Sequence, residues 1–168
     1  VTGAFPDVLE DKAVIFFAKD TTPLGIITVS DAVRKSSAEA VEALHELGLK
    51  VVMLTGDAKS TAKRVAEETG VDEFYSGLLP SDKEAAVRRM QEEGCRVIMA
   101  GDGINDAPSL ARADVGMAVG AGTDIALESA DIVLINSNPK SAATAVRLSR
   151  AVIRNVKQNL FWAFIYNT

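Results

Sequence analysis

The sequence has 168 residues, 48% of them hydrophobic and 24% charged, with a formal net charge of −5. That length fits one domain, and so apolar a composition supplies a core and excludes a disordered chain. The acidic balance gives a nucleic-acid partner no electrostatic support, and a single cysteine, Cys95, excludes an internal disulfide framework or a CxxC metal-binding arm within these residues.

Residues 1–11 have neither a basic start nor an apolar run, so they do not read as a secretory leader. The pattern predicts strands over 13–18 and 25–29, with a turn region at 19–23 between them. After Asp31 helices and strands alternate. Ser36 and Glu39 have capping-box spacing at the start of a helix whose Val41, Leu44 and Leu47 share a face, and Gly48 suits its left-handed end. His45, the only histidine, falls at that helix end, where it favourably meets the negative pole of the dipole. Residues 50–54 (KVVML) predict a short apolar strand, and 59–69 a helix with Ala62, Val65 and Ala66 inward, stopped by Gly70. Ser81 and Glu84 repeat the capping-box spacing for a helix that runs to Glu93. Residues 96–100 predict a buried strand, with Cys95 beside it as a packed core thiol. A short helix over 105–112 and strands over 115–119 and 132–135 follow, and Pro139 suits the first turn of a long final helix from Lys140.

That helix ends in the run Leu160-Phe-Trp-Ala-Phe-Ile-Tyr166, shorter than the roughly 20 apolar residues that cross a bilayer. It reads either as a core helix or as the first part of a membrane helix. Arg147, Arg150, Arg154 and Lys157 before it suit a cytoplasmic side, and Trp162 and Tyr166 suit an interface. Short apolar strands, each followed by a helix, imply a doubly wound α/β domain with a parallel sheet covered on both faces. In such folds the loops leaving the carboxyl ends of the strands line the functional crevice.

Three of those exits carry polar groups. Thr55-Gly56-Asp57 follows the 50–54 strand. It offers a hydroxyl and free N–H groups to phosphoryl oxygens, or else forms a turn in which Asp57 caps the next helix. Gly101-Asp-Gly-Ile-Asn-Asp106 supplies hard oxygen ligands for a small divalent cation. Asp102 is the first candidate for Mg²⁺, and Asn105 and Asp106 stand ready to join it or to orient water, phosphate or a neighbouring lysine. Lys83 sits in the first turn of its helix, where the dipole disfavours a cation. It either reaches the crevice to neutralise a phosphate or is a solvated surface residue.

Together these segments resemble the haloacid-dehalogenase superfamily, whose phosphoryl-transfer site combines a nucleophilic Asp, a Thr or Ser, a Lys and a metal-binding acidic loop. In content and order, Met53-Leu-Thr-Gly-Asp57, Leu79-Pro-Ser-Asp-Lys83, Gly101-Asp-Gly-Ile-Asn-Asp-Ala-Pro108 and Ala113-Asp-Val-Gly-Met-Ala-Val-Gly120 look like the P-type ATPases. So do Gly122-Thr-Asp-Ile-Ala126 and Ser129-Ala-Asp-Ile-Val-Leu134, and Asp31 matches the hinge aspartate of that family. Gln158-Asn-Leu-Phe-Trp-Ala-Phe-Ile-Tyr-Asn167 resembles the start of a membrane helix of the heavy-metal pumps, in which Tyr166 and Asn167 match the copper-type ion site.

The resemblance therefore implies the phosphorylation-domain portion of a membrane-associated copper (Cu⁺) pump, on its cytoplasmic side. Residues 1–28 would end the nucleotide-binding domain, 29–150 form the phosphorylation domain, and 151–168 form a linker helix and the start of a membrane helix. It implies ATP and Mg²⁺ as cofactors, with Mg²⁺ on Asp102 and Asp106. Thr55, Gly56 and Lys83 would lie against phosphoryl oxygens, and Asp57, Asn105 and Asp106 would order that network. Partners would be the transported cation and the pump's own nucleotide-binding, actuator and membrane domains. The phosphorylated Asp of an Asp-Lys-Thr-Gly-Thr motif is absent from these residues, so the sheet should lack the strand that presents it. Two alternatives stand beside the pump. One is a soluble phosphatase of the same superfamily, for which Asp7, Asp11 and Asp20 give no early Asp-x-Asp pattern; the other is a catalytically inactive phosphorylation-domain fragment.

Overall fold

A computed structural model describes residues 13–19, 22–29, 33–101, 104–120 and 128–166. The first two strands, β1 (Ala13–Lys19) and β2 (Thr22–Val29), pair antiparallel with Ala13 opposite Val29 and Lys19 opposite Thr22. The register slips between Phe17 and Ala18, where Ala18 meets Pro23, a residue with no N–H to give the ladder. Ile15, Phe16 and Phe17 are all exposed, and because successive strand residues face opposite ways, both faces of this ribbon are open.

The remaining elements alternate. They are α1 (Lys35–Glu46), β3 (Val52–Leu54), α2 (Lys59–Thr69), β4 (Glu73–Tyr75), α3 (Pro80–Glu92), β5 (Ile98–Gly101), a 3₁₀ turn (Ile104–Asp106), α4 (Ala107–Arg112), β6 (Val115–Val119), β7 (Ile132–Leu134) and α5 (Lys140–Tyr166). β3 pairs parallel with β4, and β5, β6 and β7 form a second parallel ladder in that order.

β6 shows how the sheet is covered on both faces. Val115, Met117 and Val119 pack with Leu134, Leu47 and the Val146 face of α5. On the other face Gly116 lies against α4 so closely that a Cβ there would sit 2.7 Å from the Leu110 carbonyl oxygen. Leu110 in turn packs with Val87 of α3 and Met99 of β5, and Leu54 of β3 joins the same cluster. β3 and β5 therefore share a core, yet among the described residues no ladder joins them.

Several local expectations are corrected. Neither capping box forms as predicted. Arg34 is the N-cap of α1 without a side-chain bond, and Glu39 pairs instead with Lys140 of α5. In α3, Pro80 takes the first turn, Leu79 is the N-cap, and Asp82 rather than Glu84 accepts the Leu79 N–H at 2.9 Å. Cys95 is exposed rather than packed. Gly94 closes α3 with φ +88°, and the strand starts only at Ile98, so Cys95 spends its N–H on the Met90 carbonyl within the turn. The short β4 was not anticipated. His45 does sit in the last turn of α1, with Nε2 2.9 Å from Asp72 Oδ2.

Candidate phosphoryl-transfer site

Thr55 continues the β3 ladder by one step, its N–H donating to the Tyr75 carbonyl at 3.0 Å. Its own carbonyl accepts from Leu78 N–H, and Gly77 N–H donates to the Asp57 carbonyl, so the turn is pinned on both sides. A Cβ on Gly56 would lie 3.3 Å from the Leu78 carbonyl oxygen, which leaves little room for a larger residue. The Thr55 hydroxyl donates to Asp57 Oδ2 at 2.7 Å and accepts from the Asp57 N–H at 3.1 Å. Ala58 is the N-cap of α2 and no side chain caps it, so the Asp57 carboxylate holds Thr55 rather than the helix. Gly56 and Asp57 face solvent.

Lys83 leaves the first turn of α3 and reaches Asp106, its Nζ donating to Oδ1 at 2.8 Å. Only 16% of the lysine side chain and 13% of the aspartate remain exposed. Asp106 ends the 3₁₀ turn and occupies the N-cap position of α4, but makes no cap bond, because its carboxylate is turned toward α3. It also lies flat against the end of β5: a Cβ on Gly101 would come within 2.7 Å of both Asp106 Cβ and Oδ2. Gly101 is thus a seat for Asp106, a role that residue type and spacing alone did not reveal. Asp82, also not singled out, places an acid in the first turn of α3.

Lys83 is not a solvated surface residue; its partner in this structure is Asp106. The Leu78 N–H bond to the Thr55 carbonyl holds the start of α3 beside the β3 exit, and the Lys83–Asp106 bond ties it to the segment after β5. Asn105 is exposed beside Asp106. Asp102, Asp31, Asn167 and the segment 122–126 lie outside the described residues. Tyr166 ends α5, exposed and on a different element from the groups above. Among the described residues no group of three or more His, Cys, Asp or Glu side chains is placed to hold a metal ion.

Residues 3–114 match the family model of the haloacid dehalogenase-like hydrolases. The chain is 51% identical over 156 residues to a protein named copper-transporting ATPase 1 from Rhizobium meliloti, covering 93% of this chain and 19% of that one. It is 48% identical over 159 residues to a copper-exporting P-type ATPase of Bacillus subtilis, covering 95% and 20%. It therefore spans about a fifth of the length of the curated relatives it matches. A crystal structure of a zinc-transporting PIB-type ATPase superposes with a TM-score of 0.81 at 40% identity, over 89% of this chain and 24% of that one. The catalytic domain of a CPx-ATPase superposes with a TM-score of 0.61 at 34% identity, over 74% and 48%.

Proposed function

The chain belongs to the haloacid dehalogenase-like hydrolases, and from that premise we propose that it is the phosphorylation-domain portion of an ATP-driven heavy-metal cation pump. Cu⁺ is the proposed cargo, supported by the names of the relatives that share about half of its residues. The observation that carries the reading is the Lys83–Asp106 pair at 2.8 Å, drawn from positions 23 apart in sequence to the exit side of the parallel strands.

In this reading the Lys83 ammonium, fixed by Asp106, meets an oxygen of the phosphoryl group. Thr55 offers a second contact, its hydroxyl proton turning from Asp57 to the incoming anion. Exposed Gly56 leaves backbone free to approach, and Asn105 and Asp57 order the rim. The donors are carboxylate, hydroxyl and amide oxygens, without sulfur or imidazole, which fits a hard cation such as Mg²⁺. Asp102 would hold it, with Asp106 beside it. Bound there, Mg²⁺ would neutralise charge on the transferring phosphoryl of ATP, a reaction catalysed mainly by positioning and electrostatics. Residues 1–28 would close the nucleotide-binding domain with Asp31 at the hinge, 29–150 form the phosphorylation domain, and 151–168 lead toward the membrane. Tyr166 and Asn167 would belong to the cation path.

The test is a graft. This chain, spliced in place of the matching segment of a copper pump, should give Cu⁺-dependent, acid-stable phosphoenzyme from ATP and Mg²⁺. Asp102→Asn in the graft should abolish it, and the 168-residue chain alone, having no Asp-Lys-Thr-Gly-Thr motif, should retain no label. A graft that inserts and folds but never phosphorylates, or that phosphorylates equally well with Asp102→Asn, would overturn the reading.

A further inference from the structure

The first turn of α3 carries Lys83, yet packing does not hold it. Leu79, Pro80, Ser81 and Asp82 are all exposed, and the helix buries a side chain only at Val87. Hydrogen bonds hold the turn instead. The Leu79 carbonyl accepts the Asp82 and Lys83 N–H groups at 3.0 and 3.2 Å, and the Leu79 N–H is taken in return by Asp82 Oδ2 at 2.9 Å. α1, α2 and α4 begin without a side-chain cap bond, so the helix that bears the lysine is tied at its start where those three are not. The tie continues upstream. Gly77, bent at φ +66°, and Leu78 give their N–H groups to the Asp57 and Thr55 carbonyls. Three successive N–H groups, 77 to 79, therefore join the turn after β3 to the first turn of α3.

We propose that Asp82 is a positioning residue. By closing on the Leu79 N–H it locks the 77–79 loop to α3, and so keeps the Lys83 ammonium in register with the Thr55 turn on one side and Asp106 on the other. Adjacent helix residues do not face each other, so Asp82 acts through the backbone of the turn rather than on the ammonium. A lysine carries its charge on a flexible four-carbon stem, and only a fixed backbone lets its 2.8 Å bond to Asp106 form in one place. Fraying of this one turn frees the Lys83 backbone and costs the ammonium its place against a phosphoryl oxygen. The catalytic consequence rests on the proposed phosphoryl transfer; the positioning itself does not.

Two measurements keep these apart. In the 168-residue chain, the coupling between Lys83 and Asp106 is read from a urea double-mutant cycle of Lys83→Met and Asp106→Asn. Asp82 is exposed, so truncating it spares the core. Repeated on an Asp82→Ala background, the cycle should lose most of that coupling. On Asp82→Asn, which keeps an oxygen acceptor for the Leu79 N–H, it should keep most of it. In the copper-pump graft, Asp82→Ala should slow phosphoenzyme formation at saturating ATP by roughly 10- to 100-fold, the loss expected of a misplaced group. The KM for ATP should change little, and Asp82→Asn should restore the rate. Coupling that survives Asp82→Ala, or phosphorylation of that variant at the parent rate, would overturn the proposal. So would an Asn variant that fails as fully as the Ala variant, which would assign the effect to charge instead of the bond. A graft that never phosphorylates refutes the pump reading, and the cycle still decides on Asp82.

Discussion

A lysine in the first turn of a helix faces the positive end of the dipole, and Lys83 is tolerated there because two acids compensate it. Asp82 lies in the same turn, and Asp106 arrives from another element to within 2.8 Å. The pair is mostly out of water, so removing one partner strands the other. For a buried pair that costs about 3–5 kcal/mol, and the residual exposure here favours the low end of that range. Lys83→Met and Asp106→Asn should each lower stability by about 3 kcal/mol in urea denaturation. The double replacement Lys83→Met with Asp106→Asn should cost much less than their sum. Additive losses would mean that the two side chains are not coupled. Gly101→Ala belongs to the same unit, because the new methyl would displace the Asp106 carboxylate and should mimic Asp106→Asn. The sequence alone marked Lys83 and Asp106 as polar groups at an exit loop and a helix start. That each is the other's partner, 23 positions away, became visible only in three dimensions, since no periodicity encodes a contact between separate elements.

At the opposite end of the strands one device recurs in three parallel strand pairs. Asp72 Oδ2 accepts the Val51 N–H at 2.7 Å, Asp114 Oδ2 the Val97 N–H at 3.0 Å, and Asp131 Oδ2 the Gly116 N–H at 2.9 Å. Each aspartate directly precedes its own strand and clips it to the neighbouring one. The Ala-Asp-Val and Ala-Asp-Ile segments that suggested a family resemblance are therefore, in this structure, strand-pairing clamps on the side away from the candidate site. The Val97 N–H, the Gln91 amide and the Arg96 guanidinium hold the Asp114 carboxyl far below the usual carboxylate range. The Val51 N–H and His45 lower Asp72 as well. Because the folded state prefers the charged form, this stability is complete above the unfolded carboxylate value of about 3.9 and is lost as pH falls below it. Asp114→Asn should thus melt at lower temperature than the parent at pH 7, and the gap should close as the pH drops toward the acid limit. A gap of equal size at both ends of the titration would refute the clamp. The long helices and apolar strands were legible from period and composition. β4 was not, because a three-residue strand of Glu73, Phe74 and Tyr75 carries too little apolar pattern to read. The Ser-x-x-Glu spacings misled for a related reason: Pro80 fixes where α3 starts, and Glu39 finds a stronger partner in Lys140.

Over the whole molecule, most of the exposed large apolar side chains gather on the β1–β2 ribbon and the outer length of α5, with Ile98 at an open strand edge. Patches of this kind mark surfaces that expect a partner. The strand edge is the most specific. β3 and β5 contribute Leu54 and Met99 to one core cluster but share no ladder among the described residues, and Ile98 of β5 is 41% exposed. Thr55 and Gly101 flank that break at its exit end, with Lys83 and Asp106 above it. A parallel strand entering between β3 and β5 would bury Ile98, pair with both edges and deliver its last residue beside Thr55 and the Lys83–Asp106 pair. On the proposed function, that is where a strand bearing the nucleophilic aspartate would sit. A peptide of five alternating Val and Ile residues followed by Asp-Lys-Thr-Gly-Thr should therefore bind the 168-residue chain. It should raise the melting temperature and slow amide exchange at Val52–Leu54 and Ile98–Gly101 together, since one strand completes both ladders. Protection confined to β7, the far edge of the sheet, would show generic strand addition instead, and the break between β3 and β5 would then not be a vacancy for the nucleophile.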